Sequence, residues 1–429
     1  FMDNIVITKE YKRRILDDKL EQYLDTFGAV CLEGPKWCGK SWTASYHSNS
    51  EFLLADPKGN YHNKFLAETS PDIVLEGKTP KLIDEWQLVP PLWDGVRYAV
   101  DRRGKTGQFI LTGSSTANLT AFTHSGAGRI GRLRMRTMSL YESKDSSGLI
   151  SLKDICSGKF KDCLTGEVDL NQLAYLTVRG GWAGNLKTKK ENVSLIPTSY
   201  IDEIVEKLCN QVDDEKHNTV KMKQLLCSLA RNECTTASNQ KLLDDISKVD
   251  GEKIDYDTIY TYMNVFNRLF LFDNQLPYTT NVRSSNRIKK SEKRHFCDPS
   301  LACALLKLTP EKLINDLQTF GYLFESLCER DLKVYADSFN ANVYHYQDYN
   351  GKEIDAVIEL DDGKWCAFEI KLGANQIDKA AESLIKIKEY ILKNGGNPPS
   401  VLCVICGLSN AAYLRPDGVY VVPITALKN

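Results

Sequence analysis

Apolar positions along this chain change period several times, and each change marks a different kind of element. Residues 13–27 place Ile15, Leu16, Leu20, Tyr23 and Leu24 at helical spacing. The continuous run Ala29-Val-Cys-Leu-Glu33 then predicts a buried strand. Further short strands are expected at 52–56, 81–85 and 108–112, with a helix at 93–102. Strands alternating with helices predict a parallel sheet, with its ligand at the carboxyl ends of the strands. From Arg132 to Leu140 the period is two, so Arg132, Arg134 and Arg136 share one face of an extended segment.

Residues 144–170 are rich in Ser, Gly, Asp and Lys and read as a linker or an excursion. Residues 178–184 form a Gly-rich turn with no evident task. Helical spacing returns between 196 and 275, at 220–231, 238–247 and 256–268, followed by a strand at 269–272. The segment 281–294 is loop-like and basic, with Arg283, Arg287, Lys289, Lys290, Lys293 and Arg294. Three helices and a hairpin with a basic tip predict a winged-helix-like region; the competing reading is a small helical bundle with a solvated loop. From 319 the order is helix, three strands (343–347, 353–360, 365–372), a helix at 375–393, and strands at 401–406 and 419–424. The expected domains are therefore 1–145, a linker or excursion at 146–195, a winged-helix-like domain at 196–300 and an α/β domain at 301–429.

Composition narrows the function classes. At 429 residues, 42% apolar and 26% charged, the chain has material for several cores. A formal net charge of −1 excludes a generic polyanion binder, so any nucleic-acid surface must be a local patch. No apolar run reaches membrane-spanning length and no charged-then-apolar leader opens the sequence. The 13 cysteines follow no framework, which suits reduced thiols and a cytoplasmic location. Cys403 and Cys406 form a C-x-x-C inside an apolar run, which reads as strand core.

The most specific motif is Gly34-Pro35-Lys36-Trp37-Cys38-Gly39-Lys40-Ser41, a complete G-x-x-x-x-G-K-[ST] between a strand and a helix. Such a loop turns main-chain N–H groups toward one point, where the helix N-terminus adds positive potential. Lys40 is expected to reach the β- and γ-phosphates of ATP and Ser41 to ligate Mg²⁺. Asp84, ending an apolar strand, is placed to hold the Mg²⁺ shell, and Glu85 to polarise the attacking water. Thr112, Ser114 and Ser115 end the neighbouring strand; they either bond the γ-phosphate or water, or merely cap a turn. Arg129, after Gly126-Ala-Gly128, is either a charge-stabilising arginine, acting in its own subunit or a neighbour's, or a solvated strand-start residue. Cys38, inside the loop, is expected to be reactive, so that its alkylation blocks nucleotide binding and bound nucleotide protects it.

The phosphate loop, Leu82–Trp86, Phe109–Ser115, Gly128-Arg129 and Leu140-Tyr-Glu142 together resemble the AAA-type ATPases of bacteria and archaea that carry a C-terminal domain of unknown function. The Gly-rich turn at 178–184 and His295-Phe-Cys-Asp298-Pro-Ser-Leu-Ala302 also resemble that family. The resemblance implies a P-loop module followed by winged-helix-like and restriction-endonuclease-like parts. Lys36 replaces the arginine common in that family's loop and keeps its charge.

In the last domain, Asp355 precedes Glu369-Ile-Lys371 on the next strand, which resembles the PD-(D/E)xK nuclease superfamily. Adjacent strands can set Asp355, Glu369 and Lys371 side by side, and two carboxylates at close range call for a cation such as Mg²⁺. Glu325, on the preceding helix, is a further candidate ligand for this second metal site. A solvated sheet face of alternating charge is the competing reading. Three functions are in contention. The first is ATP hydrolysis driving a conformational change on a partner, DNA or protein, with oligomerisation open. The second is a nucleotide-gated, metal-dependent nuclease, and the third an ATP-binding switch or scaffold without catalysis.

Overall fold

The computed structural model describes residues 11–115, 125–209, 217–249, 254–278, 291–348 and 351–429. It divides into two compact units. The first comprises Phe1–Thr137, Lys207–Lys216 and Asn264–Leu271, and the second Met138–Glu206, His217–Met263 and Phe272–Asn429.

The first unit is built on β1 (Ala29–Glu33), β2 (Ser50–Leu53), β3 (Lys81–Asp84), β4 (Phe109–Gly113) and β5 (Ile130–Arg134). All five are parallel, in the order β2-β3-β4-β1-β5. Their non-consecutive order follows from the intervening helices, which must cross over a face of the sheet to return the chain. β1 and β4 are central and covered on both faces, which is why they read as unbroken apolar runs. One face packs on Trp86, Trp93, Val96 and Val100. The other packs on Leu20 and Leu24 of the helix Leu16–Thr26, with Cys38 and Met135. The register sets Glu33 beside Gly113 and Arg134, so the carboxyl ends of β1, β4 and β5 form one edge. The alternating run expected from Arg132 to Leu140 is shorter than its pattern: β5 ends at Arg134, and Met135 turns into the core beneath the phosphate loop.

The second unit carries β6 (Ile150–Ser151), β7 (Cys163–Leu164), β8 (Leu276–Pro277), β9 (Asn342–Gln347), β10 (Glu353–Glu359), β11 (Trp365–Lys371), β12 (Val401–Cys406), β13 (Ala411–Leu414), β14 (Val419–Pro423) and β15 (Leu427–Lys428). Eight of them form a mixed sheet in the order β7-β13-β14-β12-β11-β10-β9-β8, and β15 pairs with β6. The helix Ile377–Lys393 buries Ile377, Ala380, Ala381, Leu384, Ile387 and Ile391, a stripe at helical spacing, against one face. The 21-residue helix Leu317–Asp337 is mostly buried. The expected helix–three-strand–helix–strand order is present. The stretch expected as a linker or an excursion at 146–195 supplies β6, β7 and the helices Leu152–Cys156 and Leu170–Arg179.

The three helices expected between 220 and 268 are Thr219–Arg231, Asn239–Val249 and Tyr256–Arg268. The strand expected at 269–272 is instead a turn at Leu269 and Phe270, the latter at φ 55, leading into a single bridge at Phe272. Two isolated antiparallel bridges, Phe272 with Phe296 and Gln275 with Lys293, join two short arms. Most of the basic segment expected at their tip, including Arg283, Arg287, Lys289 and Lys290, lies outside the described residues.

The Gly-rich turn has a packing task. A Cβ on Gly180 would sit 2.3 Å from Asp298 Oδ1, and one on Gly181 would sit 2.1 Å from the Met138 carbonyl oxygen. Asp298 accepts from the Gly181 N–H at 2.9 Å and from Arg330 at 3.1 Å, and caps the helix Pro299–Leu305. The two landmarks at 178–184 and 295–302 are thus halves of one buried junction.

Candidate nucleotide site and carboxylate cluster

Gly34 leaves β1 at φ 154, and a Cβ there would meet the Met135 carbonyl oxygen at 2.2 Å. Gly39 opens the helix Lys40–Tyr46 at φ 110, a conformation that L side chains rarely adopt. These two glycines let the segment between them bend over the edge of the sheet, with Trp37 at φ 66 and partly exposed. Lys40 is buried, and its ammonium donates to the carbonyls of Gly34 and Pro35, both at 2.8 Å. The loop therefore wraps its own lysine.

Ser41 Oγ donates to Asp84 Oδ1 at 2.8 Å, and Thr112 Oγ1 donates to the same oxygen. Burial raises the Asp84 carboxyl above its ordinary range, while the Thr112 and Ser41 hydroxyls oppose the rise. Glu85 follows at φ 57, a strained conformation for a non-glycine residue. Its N–H donates to Thr112 Oγ1 at 3.1 Å, and its carboxylate accepts from Ser114 Oγ at 3.0 Å and from the Gln87 amide. The ends of β1, β3 and β4 thus unite Lys40, Ser41, Asp84, Glu85, Thr112 and Ser114. A hydroxyl and a carboxylate oxygen side by side, in a place where burial penalises the bare negative charge, fit a hard divalent cation.

Other expected site residues sit differently. Arg129 precedes β5, whose Ile130 pairs with Ala29 at the opposite end of β1 from the loop. Four residue steps separate the two ends, roughly 13 Å at 3.3 Å each. Its guanidinium pairs instead with Asp101 at 2.8 Å. Arg129 is therefore not brought to its own subunit's phosphate loop. Cys38 is fully buried among Leu32, Ala44, Leu82 and Met135, so the reactive thiol expected there is a core residue.

Arg14 was not singled out in the sequence. It is buried, and donates to the Cys38 carbonyl and the Arg136 carbonyl at 2.9 Å each, clamping the loop from below. Asp17 accepts from the Arg14 N–H at 2.9 Å and from Tyr11 at 2.7 Å. No residue pattern marked Arg14: it precedes the helix Leu16–Thr26, and its partners are main-chain carbonyls.

In the second unit Glu325, Asp355, Glu369 and Lys371 do converge. Lys371 Nζ lies 3.1 Å from Asp355 Oδ2 and 2.9 Å from Glu369 Oε1. The pairing of β9 with β10 shifts register between Ile354 and Val357, and this bulge aims Asp355 so that it also accepts from the Ile370 N–H at 2.8 Å. The unexpected member is Lys293. Counted in the sequence as part of a basic loop, it is 1% exposed and ion-pairs with Glu325, with Glu353 at 3.4 Å and with Asp355 at 3.8 Å. Burial works against the Asp355 charge, yet Lys293, Lys371 and the Ile370 N–H together hold it below its usual range. Burial and the Asp355 charge push Glu369 up. An ammonium already stands among three of these carboxylates. With Lys293 in place, the cluster does not fit a divalent metal.

Comparisons with known proteins divide the chain in three. Residues 26–144 match the AAA domain family. Residues 170–312 match one domain of unknown function, DUF8612, and residues 320–427 another, DUF4143. No curated protein matches the chain. Among solved structures it is similar to the Walker-type ATPase of Pyrococcus abyssi, at 14% identity over 70% of this chain and 97% of that chain, with a TM-score of 0.41. It is also similar to the replication initiator DnaA bound to AMPPCP and single-stranded DNA, at 11% identity over 59% of this chain and 86% of that chain, TM-score 0.28. Thermotoga maritima RuvB aligns at 16% identity over 61% of this chain and 88% of that chain, TM-score 0.28. The AAA domain match spans β1 to β5 and contains every residue of the nucleotide site named above.

Proposed function

We propose that the chain is an ATP hydrolase. The observation that carries this reading is the shared hydrogen bonding of Ser41 and Thr112 to Asp84, next to a strained Glu85, at the mouth of a phosphate loop. Main-chain N–H groups of the loop and the Lys40 ammonium would grip the β- and γ-phosphates. Ser41 and Asp84 would hold Mg²⁺, which supplies neutralisation of phosphate charge when bound. Glu85, braced by Gln87 and Ser114, would orient the attacking water and accept its proton, yielding ADP and phosphate. Arg129, placed away from the loop of its own chain, would serve a neighbouring copy's site if the protein assembles. Turnover would drive a conformational change that acts on a partner, DNA or protein, in the cytoplasm. Among the described residues no helix is long and apolar enough to cross a membrane.

Release of phosphate from ATP, followed for the wild type, Lys40→Ala and Glu85→Gln, tests the reading. Both variants should lose turnover, Glu85→Gln while still binding ATP. Turnover surviving in both removes it. Binding without turnover in the wild type would leave an ATP-dependent switch. Metal-dependent DNA cleavage, the reading that the convergence of Asp355, Glu369 and Lys371 would suit, is disfavoured by the Lys293 ammonium among the carboxylates. If Asp355→Ala leaves DNA cleavage with Mg²⁺ or Mn²⁺ as it is in the wild type, that alternative fails.

A further inference from the structure

The arm that carries Lys293 also carries His295, and the two side chains enter different clusters. His295 Nε2 faces Gln275 Oε1 at 3.0 Å. The Gln275 amide nitrogen is directed at Glu329, so Gln275 presents its oxygen and His295 Nε2 carries the proton. That leaves the Nδ1 lone pair, 3.6 Å from Cys234 Sγ and 3.8 Å from Glu233 Oε1. Cys234 Sγ also lies 3.1 Å from the Tyr322 carbonyl, to which its S–H can donate. Glu233 is held in turn by the Phe296 N–H at 3.1 Å and the Ser326 hydroxyl at 2.7 Å. Glu233 and Cys234 are 4% exposed and His295 2%. Their donor atoms all lie within 4.8 Å of one another.

A thiol, an imidazole and a carboxylate turned toward one point are the donor set of zinc. Bonds of about 2.3 Å to sulfur and 2.0 Å to nitrogen at a tetrahedral angle put the two donors about 3.5 Å apart, and Cys234 and His295 stand at 3.6 Å. One thiolate, one carboxylate and a neutral imidazole balance a divalent charge, which suits a buried place. The Nε2–H bond to Gln275 is the outer contact that a ligating histidine usually makes. A cleft of about 470 Å³ is bordered by Glu233, Thr235, Thr319 and Tyr322.

We propose that Glu233, Cys234 and His295 bind zinc, with water as the fourth ligand. The ion would tie the segment after the helix Thr219–Arg231 to the arm at 293–296, and would thereby hold Lys293 in the carboxylate cluster.

Metal content of the full chain, purified without chelators, and the absorbance of its cobalt-substituted form test this. About one zinc per chain is expected, with a thiolate-to-cobalt charge-transfer band. The band should disappear in Cys234→Ser, shift in His295→Gln and persist in Cys403→Ser. Zinc affinity should fall by about 10- to 100-fold in Gln275→Leu, the scale of a lost outer contact. Should the cluster variants fail to fold, the wild type still decides, because zinc should raise its Tm and a chelator lower it. A wild type that takes up neither metal, a Tm indifferent to both additions, or a band unchanged in Cys234→Ser overturns the proposal.

Discussion

Ser41 Oγ and Asp84 Oδ1 lie 2.8 Å apart, a hydrogen bond that joins the first turn of a helix to the end of a neighbouring strand. Asp84→Asn keeps the shape of this contact and removes its charge. ATP turnover should fall at least about tenfold, since a contact with a charged group is worth about 1.5–3 kcal/mol and 1.4 kcal/mol is a factor of ten. Steady-state phosphate release over a Mg²⁺ titration measures the loss, and the variant should need more Mg²⁺ for half-maximal rate.

Arg14 touches no nucleotide in the proposed binding mode, yet it holds the Cys38 carbonyl of the phosphate loop and the Arg136 carbonyl beyond β5. Arg14→Ala should destabilise the first unit by about 1.5–3 kcal/mol for the lost charged contacts. It should also weaken ATP binding in calorimetry, because the loop would no longer be held in its bent form. Unchanged affinity would confine Arg14 to stability.

Lys293→Met leaves Glu325, Glu353 and Asp355 facing one another without their ammonium. Removing one partner of a buried ionic group costs about 3–5 kcal/mol. Urea melts should show that loss, and Mn²⁺ or Mg²⁺ should restore part of it by entering the vacated position. A variant whose melt ignores both ions would show that these carboxylates do not make a metal site even when the lysine is gone.

Burial, with Asp348 and Tyr390 adding to it, pushes the Tyr346 phenol up to about 12. Its ordinary value is about 10. Between those two values the unfolded chain ionises this phenol and the native chain does not. Stability therefore declines as pH rises through that window. Thermal melts from pH 9 to 12 should show a shallower alkaline decline for Tyr346→Phe than for the wild type.

The sequence disclosed those parts of the molecule whose chemistry is local. Gly34, Gly39, Lys40 and Ser41 are neighbours along the chain, and their spacing alone implies a bent loop between a strand and a helix. Asp84 and Glu85 were legible because an apolar strand ends on them. Glu369 and Lys371 were legible because a strand brings alternate residues to one face. Lys293 was misread because its neighbours at 281–294 are basic, and charge counted along a segment says nothing of which ammonium turns inward. Its partners come from the helix Leu317–Asp337 and from β10, so only the folded chain reveals the match. The place of Arg129 was open for a related reason: a motif shows that an arginine starts a strand, while the parallel register decides which end of the sheet that start occupies. Arg14 escaped notice because its partners are main-chain carbonyls, which carry no residue signature.

The pairings of β7 with β13 and of β6 with β15 have a consequence for how the polypeptide is made. Residues 150–164 leave the ribosome long before the strands they complete, and must stay unclaimed until β13 and β15 emerge. A fragment starting at residue 301 would present both of those borders bare, as templates for other chains. The end of the polypeptide therefore closes with a hem cut from its first half.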